Sequence, residues 1–347
     1  MIKQLIEKFD DLLKENRAFV FFRFPNSDRV HLYIQNGLAV NRTSEFSSPG
    51  FVLAPFSYQG EHSNLLIRDQ SEEFLIQTYK PRREYKNPIK SASFDQSSFI
   101  NLVINAKKYI LEKNATKVVV SASGEINNSS KFSRLFCDTL LEYQSAFVSF
   151  FHHPEIATWL SATPELLLQK KGLHYKTVAL AGTKSSNPHE YRPWTEKEKH
   201  EQKIVQNQIH DDLKSICGKY KIDISQTSDL NAGHLFHLLT EFEFQTDSHP
   251  TTILKLLHPS SAIAGHPKEN ALAFLKHNEG YSRSFYSGFL GPTDINDFSL
   301  FVNIRCAQML SDTVRLYVGA GITLDSDPES EWEEILQKSK TISKMLN

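Results

Sequence analysis

The chain of 347 residues is 40% hydrophobic and 23% charged, with a formal net charge of −1; that length supports a sizeable core and the composition excludes the disordered class. No basic block exceeds short runs such as Lys80–Arg83, which argues against a nucleic-acid partner, and no apolar run approaches the roughly 18 residues of a membrane span. Cys137, Cys217 and Cys306 are odd in number and far apart, against a disulfide framework, and the charged opening MIKQLIEKFDDLLKENR lacks a signal peptide's apolar stretch, so a cytoplasmic protein is expected.

Ile2, Leu5, Ile6, Phe9, Leu12 and Leu13 recur at helical spacing and predict an amphipathic helix. From Ala18 to about Ile76 short β-rich runs follow (AFVFFRF, VHLYIQ, NLLIRD), then a polar stretch, 79–98, that reads as an exposed loop. Helical patterns at 97–113 and 129–143 flank the strand KVVVS; strands then dominate to Leu180 (AFVSFF, TWLSA, ELLLQ, HYKTVAL). A long helix is expected from Thr195, whose pairing with Glu198 fits a capping box. Strands at 234–245 and 285–292, helices at 250–257 and 267–277, two more strands and a helix from Pro328 complete the chain. Neighbouring strands joined by short turns, with helices at irregular intervals, indicate an α+β fold of mostly antiparallel sheets. The β-rich part, 1–95, and the remainder, 96–347, are expected to share one structural domain. GxGxxG, P-loop and GxSxG motifs are absent.

Several polar residues invite a chemical reading, each beside a plainer one. Glu331, Glu334 and Lys338 share a face of the last helix, ordinarily a solvated stripe, but the preceding GAGITLDSDP brings two close glycines to the helix start. In FVNIRCAQM, read as one strand, Phe301, Asn303, Arg305 and Ala307 alternate to one face, and an odd-length turn near Ser311 would place Tyr317, Gly319 and Gly321 on the same side. A buried arginine there needs an anion, either an internal carboxylate or a ligand. Glu165 follows Pro164 at a bend before LLL; the default is an exposed turn carboxylate, yet an apolar setting would raise its pKa and suit a general acid. Lys117 opens KVVVS, where a lysine usually faces solvent, but a desolvated one can act as a base. Glu201 lies among charges that suggest a solvated helix face. His234 with His237, or His210 with Asp211 and Asp212, lack the spacing of a zinc site.

Taken in order, KVVVS, TPELLL, ALAGT, KHEQKIV, HLFHLLT, HPSSAIAGHPK, RSFYSGFLG, NIRCA, RLYVGAGI and EWEEILQK resemble the successive motifs of the isochorismate synthases, relatives of the chorismate-binding subunits of anthranilate, aminodeoxychorismate and salicylate synthases. The resemblance runs from about Lys117 to Lys344. It implies the extended antiparallel sheets and flanking helices of that fold, chorismate as substrate and Mg²⁺ as cofactor. Carried over by motif, Lys117 would be the base that activates water for attack at C2 of the ring, and Glu165 the acid that protonates the departing C4 hydroxyl. Glu201 and Glu334 would hold Mg²⁺ against the ring carboxylate, which the turn Ala181, Gly182 and Thr183 would also contact. Arg305, Lys338, Tyr317 and the Gly319 backbone would clamp the enolpyruvyl carboxylate. Ala262, Ile263 and Tyr286 would line the substrate, with His237 and Glu331 in support.

Two departures stand out. Many relatives carry Ser-Arg after the base lysine's strand where this chain has Ser121-Ala122, which bears on catalytic efficiency, and the N-terminal region is short. Aminating members typically have Gln at the Lys117 position and use an amidotransferase partner or free ammonia; Lys117 points to water and to no such subunit. Salicylate synthases share the lysine, and a non-catalytic chorismate-binding homologue is a further alternative. Ala262 stands where aminating and pyruvate-releasing relatives commonly have Thr, which favours release of the ring with its enolpyruvyl group attached. Menaquinone and catechol siderophore routes both fit, and a monomer is the default expectation.

Overall fold

The computed structural model describes residues 2–57, 64–76, 92–186, 192–233 and 235–346. Most of the polar stretch 79–98, and His234, lie outside them. The described residues form seven helices and two large antiparallel sheets, the α+β arrangement expected. The helices are α1 (Ile2–Lys14), α2 (Gln96–Lys113), α3 (Phe132–Glu142), α4 (Glu196–Cys217), α5 (Pro250–Leu257), α6 (Lys268–Asn278) and α7 (Pro328–Ser343).

The first sheet runs, edge to edge, Gly265–His266, Lys117–Asn127, Thr313–Ile322, Cys306–Met309, Ala157–Thr163, Phe147–His153, Phe19–Arg23, Arg29–Ile34 and Gln70–Leu75. The second runs Ile222–Ile224, Leu235–Phe244, His174–Ser185, Leu166–Lys171, Phe298–Val302, Phe289–Thr293, Gly50–Ala54, Asn64–Ile67 and Arg42–Thr43, with Ser228–Asn231 also paired to Leu235–Phe244. Residues 19–75 thus supply strands to both sheets.

Strands with apolar residues at every position are those covered on both faces. In Phe19–Arg23 all five residues are buried: Phe19 and Phe21 pack with Phe9 of α1 and Phe136 of α3, while Val20 and Phe22 pack between the sheets. The inter-sheet layer is aromatic, with Phe147 of the first sheet stacked on Phe301 of the second at 4.1 Å between ring centres and Phe22 5.2 Å from Phe51. Val205, Ile209 and Leu213 of α4 join Ile253, Leu254 and Leu257 of α5 in the core over the second sheet. α2, α6 and α7 share another core with Val118, Val120, Val318 and Ala320 of the first.

Two of the chain's passages between the sheets lie side by side. After Ala157–Thr163 it crosses through Pro164 and Glu165 into Leu166–Lys171; after Phe298–Val302 it returns through Asn303–Arg305 into Cys306–Met309. Two backbone bonds tie the crossings together, Val302 N–H to Glu165 C=O (3.0 Å) and Ala162 N–H to Arg305 C=O (3.1 Å). FVNIRCAQM is therefore not one strand, and alternation does not set the face of Arg305. Ala307 pairs with Leu316, so an unbroken strand would aim residue 305 away from the Tyr317 side; a left-handed backbone at Arg305 (φ 50°) redirects it.

Candidate active site

A cleft bordered by the two crossings, α4, α7 and the 258–265 loop is lined by Glu165, Ala181, Gly182, Thr183, Glu201, His237, Ala262, Ile263, Tyr286, Arg305, Tyr317, Gly319 and Lys338. Every expected substrate-binding residue is among these. Lys117 and Glu334 stand just behind, each joined to a lining residue.

Lys117 begins its strand fully buried, not facing solvent as a strand-start lysine usually does, and its Nζ donates to Glu201 Oε1 at 2.8 Å. Glu201 is placed by the docking of α4. Glu198 of the first turn accepts from the Thr195 backbone N–H (2.7 Å) and hydroxyl (2.6 Å), and Gln202 donates to Ala179 C=O (3.1 Å) in the second sheet. α7 is capped by Asp327, whose carboxylate accepts from Ser330 N–H at 2.9 Å, and is seated by Trp332, Ile335 and Ile342. The helix then presents Glu331, paired with Lys197 of α4 (2.5 Å), and Glu334, paired with Lys338 (2.6 Å). Lys338 also donates to Gly319 C=O at 2.9 Å.

Arg305 is buried with no carboxylate partner among the described residues; its guanidinium donates to Thr341 Oγ1 (2.9 Å) and His237 Nε2 (3.0 Å). His237 completes a relay by donating from Nδ1 to Gly182 C=O at 2.8 Å. Burial, with Arg305 adjacent, pushes the imidazole down to about 3, so it is neutral and its Nε2 is free to accept. Burial also lowers Arg305 to about 10. The Gly182 carbonyl is available because the strand bulges: Ala181 pairs with Leu238 but Lys184 with Phe236, three steps against two, with Gly182 at φ 72°.

Glu165 is buried, and desolvation raises its carboxyl to about 8 against the pull of Lys117 and Lys338. It is therefore a neutral, proton-bearing acid at pH 7. The other acids differ. Burial pushes Glu334 up, but Lys338 and Lys197 outweigh it and hold the group below the ordinary range; burial and Glu334 together raise Glu331. The opposite wall is the 258–265 loop, pinned by Gln208 to Ser261 N–H (2.8 Å), by Val119 N–H to Ala264 C=O (2.8 Å) and by Arg283 to Ile263 C=O (2.8 Å). Tyr286 and Tyr317 stack at 5.4 Å on the remaining side.

The profile of the family described as Chorismate binding enzyme matches residues 56–347. The chain belongs to the chorismate-binding enzymes. Isochorismate synthase EntC of Escherichia coli K12 is 30% identical over 272 residues, covering 73% of this chain and 67% of that one; isochorismate synthase MenF of the same strain is 26% identical over 271 residues, 73% and 61%. In fold, the chain matches the 2,3-dihydroxybenzoate-specific isochorismate synthase DhbC of Bacillus anthracis (TM-score 0.82, 22% identity, 100% and 99% covered). It also matches anthranilate synthase component I of Streptococcus pneumoniae (0.70, 16%, 94% and 90%).

For a member of this family, the cleft shows features the motifs did not. Lys197 bridges α4 to α7 beside three acids, and it was legible in principle, since it stands four residues before Glu201 on one helical face. Pro164, Ser287 and Ile304 also line the cleft, and no periodicity marks them. No group of three or more His, Cys, Asp or Glu side chains with metal-site geometry occurs among the described residues.

Proposed function

We propose that this protein is an isochorismate synthase, converting chorismate to isochorismate reversibly by adding water at C2 of the ring and losing the C4 hydroxyl as water. One arrangement carries the reading: a protonated buried carboxyl and a buried lysine share a cleft with a buried arginine that hydrogen-bonds to no carboxylate among the described residues. The substrate brings two carboxylates. Arg305 and Lys338 suit the enolpyruvyl carboxylate by charge and by hydrogen bonding, with Tyr317 beside them.

The residues fit a magnesium ion. Glu201 and Glu334 offer oxygen ligands from separate helices, both within the field of Lys197, and Mg²⁺ commonly takes one or two protein carboxylates and fills the rest of its shell with water and substrate. Such an ion would supply counter-charge to the ring carboxylate, which the Ala181–Thr183 turn would also meet. In the reaction, Lys117 would act as the base toward the attacking water while Glu165 gives its proton to the leaving hydroxyl. One water enters and one leaves; the ring double bonds shift between, and no covalent enzyme intermediate forms. Each group contributes about 10²–10⁴ in rate. Water as nucleophile needs no amidotransferase subunit, and the methyl of Ala262 offers no hydroxyl to steer further chemistry. Names of the relatives, EntC and MenF among them, agree with the reading.

Chromatography of a chorismate reaction with Mg²⁺ and with excess chelator tests it. Isochorismate should form only with Mg²⁺, run back to chorismate when supplied, and nearly vanish in Lys117→Gln. Stoichiometric pyruvate and salicylate would make the protein a salicylate synthase. An aminated product with ammonia would place it in the aminating branch, and binding without turnover would make it a non-catalytic homologue.

A further inference from the structure

Gly321 sits in the strand Thr313–Ile322, paired with Val119 of the strand that starts at Lys117. Its φ lies outside the left-handed region, so alanine could adopt this backbone. Space is what forbids a side chain. A Cβ at 321 would stand 2.6 Å from Lys117 Cε and closer still to Glu201 Oε1. Gly319, two residues earlier, is crowded by other groups, a Cβ there meeting the Tyr286 hydroxyl at 2.8 Å and Val120 C=O at 3.0 Å.

We propose that Gly321 is a positioning residue whose missing side chain is the gap across which Lys117 and Glu201 meet. The two come from different elements, one from a strand start and one from the second turn of α4, and their 2.8 Å contact runs over Gly321. Lys117 is fully enclosed and has nowhere to retreat, whereas Glu201 keeps 15% of its side-chain surface. A methyl at 321 therefore displaces the Glu201 carboxylate outward and leaves Lys117 without its anion. The inference rests on the roles given above to Lys117 and Glu201, but the contact itself can be tested without them.

The first measurement is a double-mutant cycle of Lys117→Met and Glu201→Gln, read by urea unfolding of the metal-free protein, with Gly321 present and in the Gly321→Ala background. Coupling should be present in the first and lost in the second; equal coupling overturns the proposal. The second uses Mn²⁺ as probe, followed by electron paramagnetic resonance. Gly321→Ala should raise the Kd about tenfold, as outer contacts of metal ligands commonly do. With Glu201→Asp, whose shorter chain leaves room for the methyl, Gly321→Ala should cost nothing further. An unchanged Kd, or an equal penalty in both backgrounds, overturns the proposal. Ala320→Gly, on the other face of the strand, is the control for a merely weakened strand and should leave Mn²⁺ binding intact. If the unmutated protein fails to bind Mn²⁺, the metal reading falls while the unfolding cycle still judges Gly321.

Discussion

Glu165 keeps its proton at neutral pH because its carboxyl sits where water cannot solvate the anion, and that has two separable consequences. Turnover should fall as pH rises through about 8, where the acid is lost. Stability should also fall: between about 4.5 and 8 the folded protein holds a proton the unfolded chain has released, so raising pH favours unfolding. Glu165→Gln should abolish turnover yet remove this slope, a difference of a few kcal/mol by pH 8 seen in urea melts across the range. A parallel pH dependence in both proteins would show that the carboxyl is not held neutral. Arg305 is the converse, a buried cation awaiting an anion. Arg305→Met should leave the free protein at least as heat-stable, since an uncompensated buried charge is removed, while KM rises about a hundredfold. A large loss of melting temperature would mean that the arginine serves the fold first. Both residues were legible as motif positions. Their states were not, because burial and the absence of a counter-ion arise from segments far away in sequence.

Elements with a clear period were legible nearly to the residue: α5 at 250–257, α2 expected from 97 and starting at Gln96, α7 from Pro328. Short edge strands such as Ile222–Ile224 and Gly265–His266 carry too few residues to show alternation. The break at Asn303–Arg305 was hidden for another reason. Both flanking segments are apolar and β-prone, so nothing local distinguishes a change of sheet from a continuous strand. Alternation therefore failed to explain why Arg305 enters the cleft, although it does. α7 offers a test at this scale, since one helix carries Glu331, Glu334 and Lys338. Asp327→Ala removes its cap, about 1 kcal/mol, and frays the turn that holds Glu331 to Lys197. KM should rise although residue 327 lies outside the cleft, and Asp327→Asn, which can still cap, should restore it. Equal kinetics in all three proteins would detach the helix start from substrate binding.

Composition and patterning foretold the α+β class, but not that two sheets would face each other through stacked phenylalanines. Phe301→Ala should cost about 3–5 kcal/mol, because its ring fills the layer against Phe147, and calorimetry should show one transition moving down as a whole. Two resolved transitions would mean that the sheets unfold separately. No described helix is long and apolar enough to cross a membrane. The paired crossings bear on how the enzyme can work at all. Glu165 and Arg305 are carried on two chain segments that brace each other through two backbone hydrogen bonds, so the distance between the two side chains is a fixed gauge. Fit must then come from the substrate and from the side chains of α4 and α7. The amide protons of Val302 and Ala162 report on that gauge: in deuterated water they should exchange only when the whole protein opens, at the same rate with and without chorismate analogues once global stability is allowed for.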